Sequence, residues 1–356
     1  MKKYRVFLAG ALALAFLFGT LGTAYGMEQA ESMNAGPATS GVQEGSVVQD
    51  VYQHQERREF EVKNRVRNEG EDYQVRVEEK LQQQIMEGIE DQELARPGAK
   101  GLERRIAELE RKLAKNPDDQ KVLWRLAVAY RNIGEYDKAI AVLKKLEGLL
   151  PHPTAKVAVL LAQCLRAKGD KEAALEELEK LAESADTVAG AVYAYRAILK
   201  EELGKVGEAA KDLEKAIAEQ PKERDFYKKV GELYSKAGKK GIKVFVKGKK
   251  LKFDVEPFVE NGRTLVPVRA IAEALGLQVD YKEGVVTITN PANGKIVVLH
   301  TGRAEAVVDG RKVGLEVPAK VVPPGRTVVP LRFVGENFGA DVEWFENGQV
   351  VAVNEK

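Results

Sequence analysis

The spacing of apolar positions changes along the chain. Between residues 101 and 238 they recur three and four apart, the spacing of one face of an α-helix, whereas beyond residue 242 they alternate as in half-buried strands. Leu102, Ile106, Leu109 and Leu113 share one helical face, and Glu108 precedes Lys112 by four residues on another. "NPDD" at 116–119 ends that helix. The pattern then repeats, with glycines at 134, 169, 204 and 238 in steps of 35, 35 and 34. A period in that range predicts stacked helical hairpins, in which small residues let helices approach and glycine turns the chain between them. The predicted units are about 120–153, 155–188 and 190–223, with residues 101–115 and 223–238 as end-capping helices.

The alternating part is itself a repeat. "NGRTLVPVRAIAEALG" at 261–276 returns as "PGRTVVPLRFVGENFG" at 324–339. Each copy predicts a hairpin turning at Gly248 or Gly310, an extended link, a short helix and a second hairpin. Pro267 and Pro330 suit the first turn of the helix, where a missing N–H costs nothing. Ile271 with Leu275, and Val334 with Phe338, would seat that helix on the sheet, and Gly276 or Gly339 would end it. The expected fold class is therefore multidomain: an all-α superhelix at 101–238, then an α+β domain of two repeated hairpin/helix/hairpin units at 242–356.

The start of the chain reads differently. Residues 1–26 have a cationic start, an apolar run and small residues near Ala24 and Gly26, the order of a secretory signal peptide. An uncleaved membrane anchor built on Val6 to Leu21 is the alternative, and it is the one route by which a membrane would become a partner. Residues 27–100 are expected to be a disordered or weakly structured charged linker. Within it, Phe60/Val62 and Tyr73/Val75/Val77 alternate on either side of "NEGED", which fits either a marginal hairpin or a charged helix broken at that point.

Composition narrows the chemistry. Lys and Arg total 56 against 54 Asp and Glu, a balance that gives no electrostatic reason to expect nucleic acid. The one cysteine, Cys164, sits in an Ala/Leu-rich helical run and is expected to be a buried, inert thiol. His54, His152 and His300 fall in three separate regions, so neither a metal spacing nor a Ser/His/Asp or Cys/His set emerges. The expectation is no enzyme, no cofactor and no metal.

The stretch "LWRLAVAYRNIGEYDKAIAVLKKLEGLLP" at 123–151 resembles a tetratricopeptide repeat, and two further units follow it. The third departs from the pattern at Arg196 and Lys200, where apolar residues are expected. The resemblance implies a binding scaffold whose concave side is lined by the first helix of each hairpin. Trp124, Val128, Arg131, Gln163 and Arg166 are the candidate protein-binding residues there, with Trp124 alternatively packing under the preceding helix. Trp124 and Val128 replace the Lys and Asn of the family's carboxylate clamp, so that specificity is not inherited.

Residues 242–355 resemble the copper amine oxidase N-terminal-like domain through the repeated Gly-Arg-Thr…Pro-x-Arg motif. The resemblance implies a fold without oxidase activity. Arg269, Arg332, Tyr281 and Trp344 are the candidate ligand contacts of this module, the arginines alternatively pairing locally, as with Glu273 or Glu336. The function expected is an exported, non-catalytic scaffold of the bacterial envelope with a protein or peptide partner on its repeats. The alternative is a cell-wall or glycan binder read by the C-terminal module.

Overall fold

The protein is described here by a computed structural model covering residues 72–81, 101–152, 154–184 and 189–356; the expected leader at 1–26 lies outside the described residues. All described elements belong to one unit, Glu61–Lys356.

The helical pattern forms as its periodicity requires. Helix α1 covers residues 72–81. Then come α2 (Leu102–Lys115), α3 (Gln120–Asn132), α4 (Tyr136–Gly148), α5 (Ala155–Ala167), α6 (Lys171–Ser184), α7 (Gly190–Glu202), α8 (Val206–Glu219) and α9 (Arg224–Lys236). Helices α3/α4, α5/α6 and α7/α8 form successive hairpins, α2 packs on α3 and α9 on α8. The Asp119 carboxylate caps α3, accepting from the Lys121 and Val122 amides at 3.0 and 3.1 Å. Gly134, Gly169, Gly204 and Gly238 all follow a first helix with positive φ, between 64° and 92°.

The third repeat resolves its own irregularity. Arg196 and Lys200 are buried, as the apolar residues they replace would be, but both meet the buried Asp212 of α8. Lys200 Nζ lies 3.0 Å from Asp212 Oδ2, and the Arg196 guanidinium donates to both carboxylate oxygens, Nε at 2.7 Å. Paired charges stand where the family pattern has aliphatic contacts.

Helix α1 differs from the expected linker. Tyr73, Val77 and Leu81 are each at most 3% exposed while Val75 is 52% exposed, so the apolar period is four and the segment is a helix.

The C-terminal module comprises β1 (Lys243–Val246), β2 (Lys249–Lys250), β3 (Phe258–Glu260), β4 (Arg263–Pro267), α10 (Val268–Leu275), β5 (Gln278–Lys282), β6 (Val285–Thr289) and β7 (Ile296–His300). It continues with β8 (Glu305–Val308), β9 (Arg311–Gly314), β10 (Lys320–Val322), β11 (Arg326–Pro330), α11 (Leu331–Asn337), β12 (Ala340–Phe345) and β13 (Val350–Glu355). Pro267 and Pro330 close their strands as N-caps and do not enter the first helical turn. The Asn261-Gly262 and Asp309-Gly310 tips place two successive residues at positive φ, the geometry of tight hairpin turns.

The two copies interlock. Strands β4 and β11 pair antiparallel with Val329 opposite Val266, and Val328↔Pro267 mirrors Pro330↔Leu265, which sets a local two-fold at that point. Their sheet has the order β10-β11-β4-β3. The outer sheets mix copies: β12-β13-β1-β2, joined by a parallel β1/β13 pair, and β5-β6-β7-β8-β9. Strand β7 has no counterpart in the repeat and bridges β6 to β8.

The sheet β12-β13-β1-β2 closes the end of the helical stack. Phe245, Phe345, Val350 and Ala352 belong to the same continuous core as the helices. Tyr227 of α9 stacks on Phe345 at 5.5 Å and meets Phe245 edge-on at 5.6 Å. The Asn354 amide donates to the Pro221 carbonyl at 2.7 Å, Lys250 pairs with Glu214 at 2.7 Å, and Arg224 grips Glu343 with two donors. Helix α9 is thus not a polar cap: its apolar face is covered by sheet, and the capping role at this end falls to the module.

Candidate protein-binding face

Helices α3, α5, α7 and α9 are the first helices of successive units, and α1 lies across three of them. Arg166 of α5 pairs with Glu78 at 2.5 Å. Arg76 pairs with Asp225 at 2.6 Å, Lys80 with Glu223, and Tyr73 meets Phe226 edge-on at 6.5 Å, which ties α1 to α9. Lys229 of α9 stands 5.8 Å over the Tyr73 ring. The Glu78 carboxylate also acts on Tyr195 of α7, whose hydroxyl pKa is raised mainly by burial.

Arg166 is the centre of this face. Its guanidinium donates to Glu202 at 2.5 Å as well as to Glu78, and lies 5.9 Å from the Tyr195 ring. Burial works against the Glu202 carboxylate, yet hydrogen bonds from Arg166 and Lys171 hold its pKa below the usual range. Beside these groups opens a cleft of about 400 Å³, lined by Glu78, Arg131, Tyr136, Gln163, Lys171 and Glu202 among others. The Arg131 guanidinium donates to Gln163 Oε1 at 3.2 Å within it.

The five residues expected on this face divide. Arg131, Gln163 and Arg166 line the cleft together. Trp124 is half-buried against the helical core. Val128 is fully buried and offers no surface to a partner, because α3 turns that position into the packed layer. Glu202, Lys171 and Glu78 belong to the face as well. Their polar positions on regular helices carry no sequence signal of their own, since the pairing that distinguishes them crosses repeats.

In the C-terminal module the repeated motif builds two related clefts, each drawing on both copies. The first, about 410 Å³, brings Pro267, Arg269 and Tyr281 of one copy to Gly325, Arg326 and Thr327 of the other. The second, about 120 Å³, brings Pro330, Arg332 and Trp344 to Gly262, Arg263 and Thr264. Arg326 pairs with Asp254 and Arg263 with Glu316, so those arginines tie distant loops together. Arg332 donates to the Val342 carbonyl at 3.3 Å and lies 3.9 Å from Glu336. The Trp344 indole donates to Glu346 at 2.8 Å. Tyr281 is 49% exposed, and Arg269 beside it is exposed, with no hydrogen bond or ion pair among the described residues.

These residues do not fit copper. His300 is the one histidine of the module, and no group of His, Cys, Asp or Glu among the described residues could hold a metal ion. Cys164 is buried, and desolvation raises its thiol pKa to about 12. Among the described residues no helix is long and apolar enough to cross a membrane.

A stack of helical hairpins closed by a β-rich module defines the class: a solenoid-type binding scaffold, whose concave faces hold protein or peptide partners. The family comparisons specify it. The tetratricopeptide repeat models match residues 106–152 and 146–236, and the copper amine oxidase N-terminal domain model matches residues 245–353. The chain thus combines tetratricopeptide repeats with a copper amine oxidase N-terminal domain. Similar solved structures include MamA, at 24% identity over 38% of this chain and 79% of that one, TM-score 0.36. TTC0263, a tetratricopeptide protein of Thermus thermophilus, is 18% identical over 38% of this chain and 73% of that one, TM-score 0.32. YrrB, a tetratricopeptide protein with an unusual peptide-binding site, is 16% identical over 38% and 70%, TM-score 0.34. No curated protein matches the chain.

Proposed function

We infer that this protein is an exported, non-catalytic scaffold of the bacterial envelope that holds a protein partner on the concave face of its repeats. The observation that carries the reading is the Arg166 site. It is a guanidinium shared between two carboxylates, beside an open cleft, on a face where a helix is already seated. The export half of the reading rests on the order of residues 1–26. A photo-crosslinking residue at Gln163 of the full-length chain, expressed in a bacterial host of its own class, tests it. A defined adduct from the envelope fraction, lost in Arg166→Glu, is the expected result. Adducts indifferent to Arg166, or found in the cytoplasm alone, would sink the reading.

A second reading is favoured by one observation, the unpaired Arg269 beside the half-exposed ring of Tyr281 in the larger cleft. An aromatic face next to a free guanidinium suits an acidic sugar of the cell wall. Co-sedimentation of the full chain with purified wall, reduced by Arg269→Ala and by Tyr281→Ala, is its expected signature. Sedimentation unaffected by both changes counts against it.

A further inference from the structure

Helix α1 sits on the concave face as a bound peptide would. Its docking surface is one stripe, Tyr73, Val77 and Leu81, and its polar contacts flank that stripe. Glu78 reaches Arg166, Arg76 reaches Asp225 and Lys80 reaches Glu223. Two features mark the seat as one from which the helix can be displaced. Its ion pairs are partly exposed, Arg76 and Lys80 at 43% and 40%, and such pairs contribute little. The Tyr73 hydroxyl is buried with no hydrogen-bond partner among the described residues, a loss that a better-fitting occupant avoids. Beside it the cleft at Arg131, Tyr136 and Gln163 is left open.

We propose that residues 72–81 are a built-in competitor for this face, and that its partner is an amphipathic helix of the same pattern. That pattern is an aromatic and two aliphatic residues at i, i+4 and i+8, a carboxylate at i+5 for Arg166, and basic residues at i+3 and i+7 for Asp225 and Glu223. A partner reaching further into the cleft would meet the Arg131–Gln163 pair, which among the described residues makes no hydrogen bond or ion pair with α1. The proposal rests on the concave face being the partner surface, and it adds what the partner looks like and what stands in its way.

The probe is a fluorescein-labelled peptide of residues 70–83, titrated by anisotropy into the full chain and into Val77→Asp/Leu81→Asp, which should vacate the seat. The resident helix belongs to the same chain as its seat, so its competition is intramolecular and does not fall on dilution. The vacated variant should therefore bind the peptide at least about tenfold more tightly than the unaltered chain. Glu78→Arg, which repels Arg166 without touching the apolar stripe, should act in the same direction. Adding Arg166→Glu to the vacated variant should weaken binding several-fold. Equal affinity for the unaltered and vacated chains overturns the proposal, as does absence of binding to the vacated one. So does conversion of an oligomer to a monomer by the α1 substitutions, since α1 would then serve a second copy. If the Gln163 crosslink persists while the peptide fails to bind, only the competitor is lost. If both fail, the partner face itself is refuted.

Discussion

Gly231 lies inside α9, where the helix meets the β12–β13 turn, and its replacement by alanine pits two effects of known sign against each other. In a helix interior Gly→Ala is favourable by about 1 kcal/mol. At this position the new Cβ would sit 3.0 Å from the Asn347 carbonyl carbon and nearer still to its oxygen, with Val350 Cγ2 at 3.5 Å. Carbon atoms settle at about 3.5–4.0 Å, so the overlap is about half an ångström or more. The two Asn347 atoms are backbone and cannot rotate aside. The mirror contact is as tight: a Cβ on Gly348 would meet Gly231 Cα at 2.7 Å and its carbonyl carbon at 2.8 Å. Relief requires parting α9 from the turn, which would loosen the Tyr227–Phe345 stack. Overpacking of this kind costs about 1–3 kcal/mol. Backbone on both sides puts Gly231→Ala toward the upper end, for a net destabilisation of about 1–2 kcal/mol. Gly207→Ala is the control: it is also helical, with nothing within 4 Å of the new Cβ, and should gain up to about 1 kcal/mol, less for its place in the first turn. Denaturant unfolding of the three chains, with hydrogen exchange of the β12–β13 amides, reads the outcome. If Gly231→Ala is as stable as Gly207→Ala, helix and sheet do not touch as described.

Three other perturbations follow from the same structure. Asp212→Ala leaves Arg196 and Lys200 buried without their shared carboxylate and should cost about 3–5 kcal/mol, with Asp212→Asn little better, as measured by chemical denaturation. Cys164, fully buried and with its pKa pushed up to about 12, should resist a thiol-specific disulfide reagent at pH 8 in the folded chain and react once unfolded. Acidification should weaken the helical repeats through Glu201 and Glu202. Burial opposes both carboxylates, but hydrogen bonds from Lys236 and Lys229 to the first, and from Arg166 and Lys171 to the second, hold their pKa values down. A depressed folded pKa gives stability that is full above the unfolded value of about 4.3 and is lost as pH falls through the folded one. Melting temperature should drop below that pH, and the drop should shrink in Glu201→Gln/Glu202→Gln.

The helical repeats were legible because each hairpin must place small and large residues at fixed offsets, and that constraint recurs every 34 or 35 residues. Arg196 and Lys200 looked like departures because their partner, Asp212, is on the second helix and reads as an ordinary polar residue. Residues 73–77 fitted periods of two and of four equally well. Leu81, Ile85 and Ile89 continue the four-residue spacing in the sequence, and a helix seated on other helices shows no signature beyond such a stripe. In the C-terminal module the repeat announced its strands and helices but not how the copies exchange them. Phe245, Phe345 and Ala352 alternate as any strand residues do, so nothing local marks them as facing the solenoid. The same limit applies to the candidate sites. The pattern placed Arg131, Gln163 and Arg166 on one face, whereas the depth of Val128 and the cross-copy make-up of the Arg269 and Arg332 clefts depend on packing between elements far apart in sequence.

Helix α9 serves two neighbours at once, and this bears on how the concave face can open. Its Asp225, Phe226 and Lys229 side chains meet α1, whereas Tyr227 and Gly231 meet the C-terminal sheet, and Tyr234 is flanked by Lys243 and Lys250 of that same sheet at 5.2 and 5.0 Å. The last helix of a solenoid lacks a following repeat and, left with one side bare, would be the first to fray. Here the sheet supplies that missing neighbour. Loss of α1 therefore strips α9 of one set of contacts while leaving the other, and the concave face can be emptied without unravelling the end of the stack. The chain between Lys236 and Lys243 is too short, and the junction too apolar, for the module to swing as a separate body. Whatever the concave face holds is thereby kept at a fixed orientation to the clefts of Arg269 and Arg332, which makes the junction part of the scaffold.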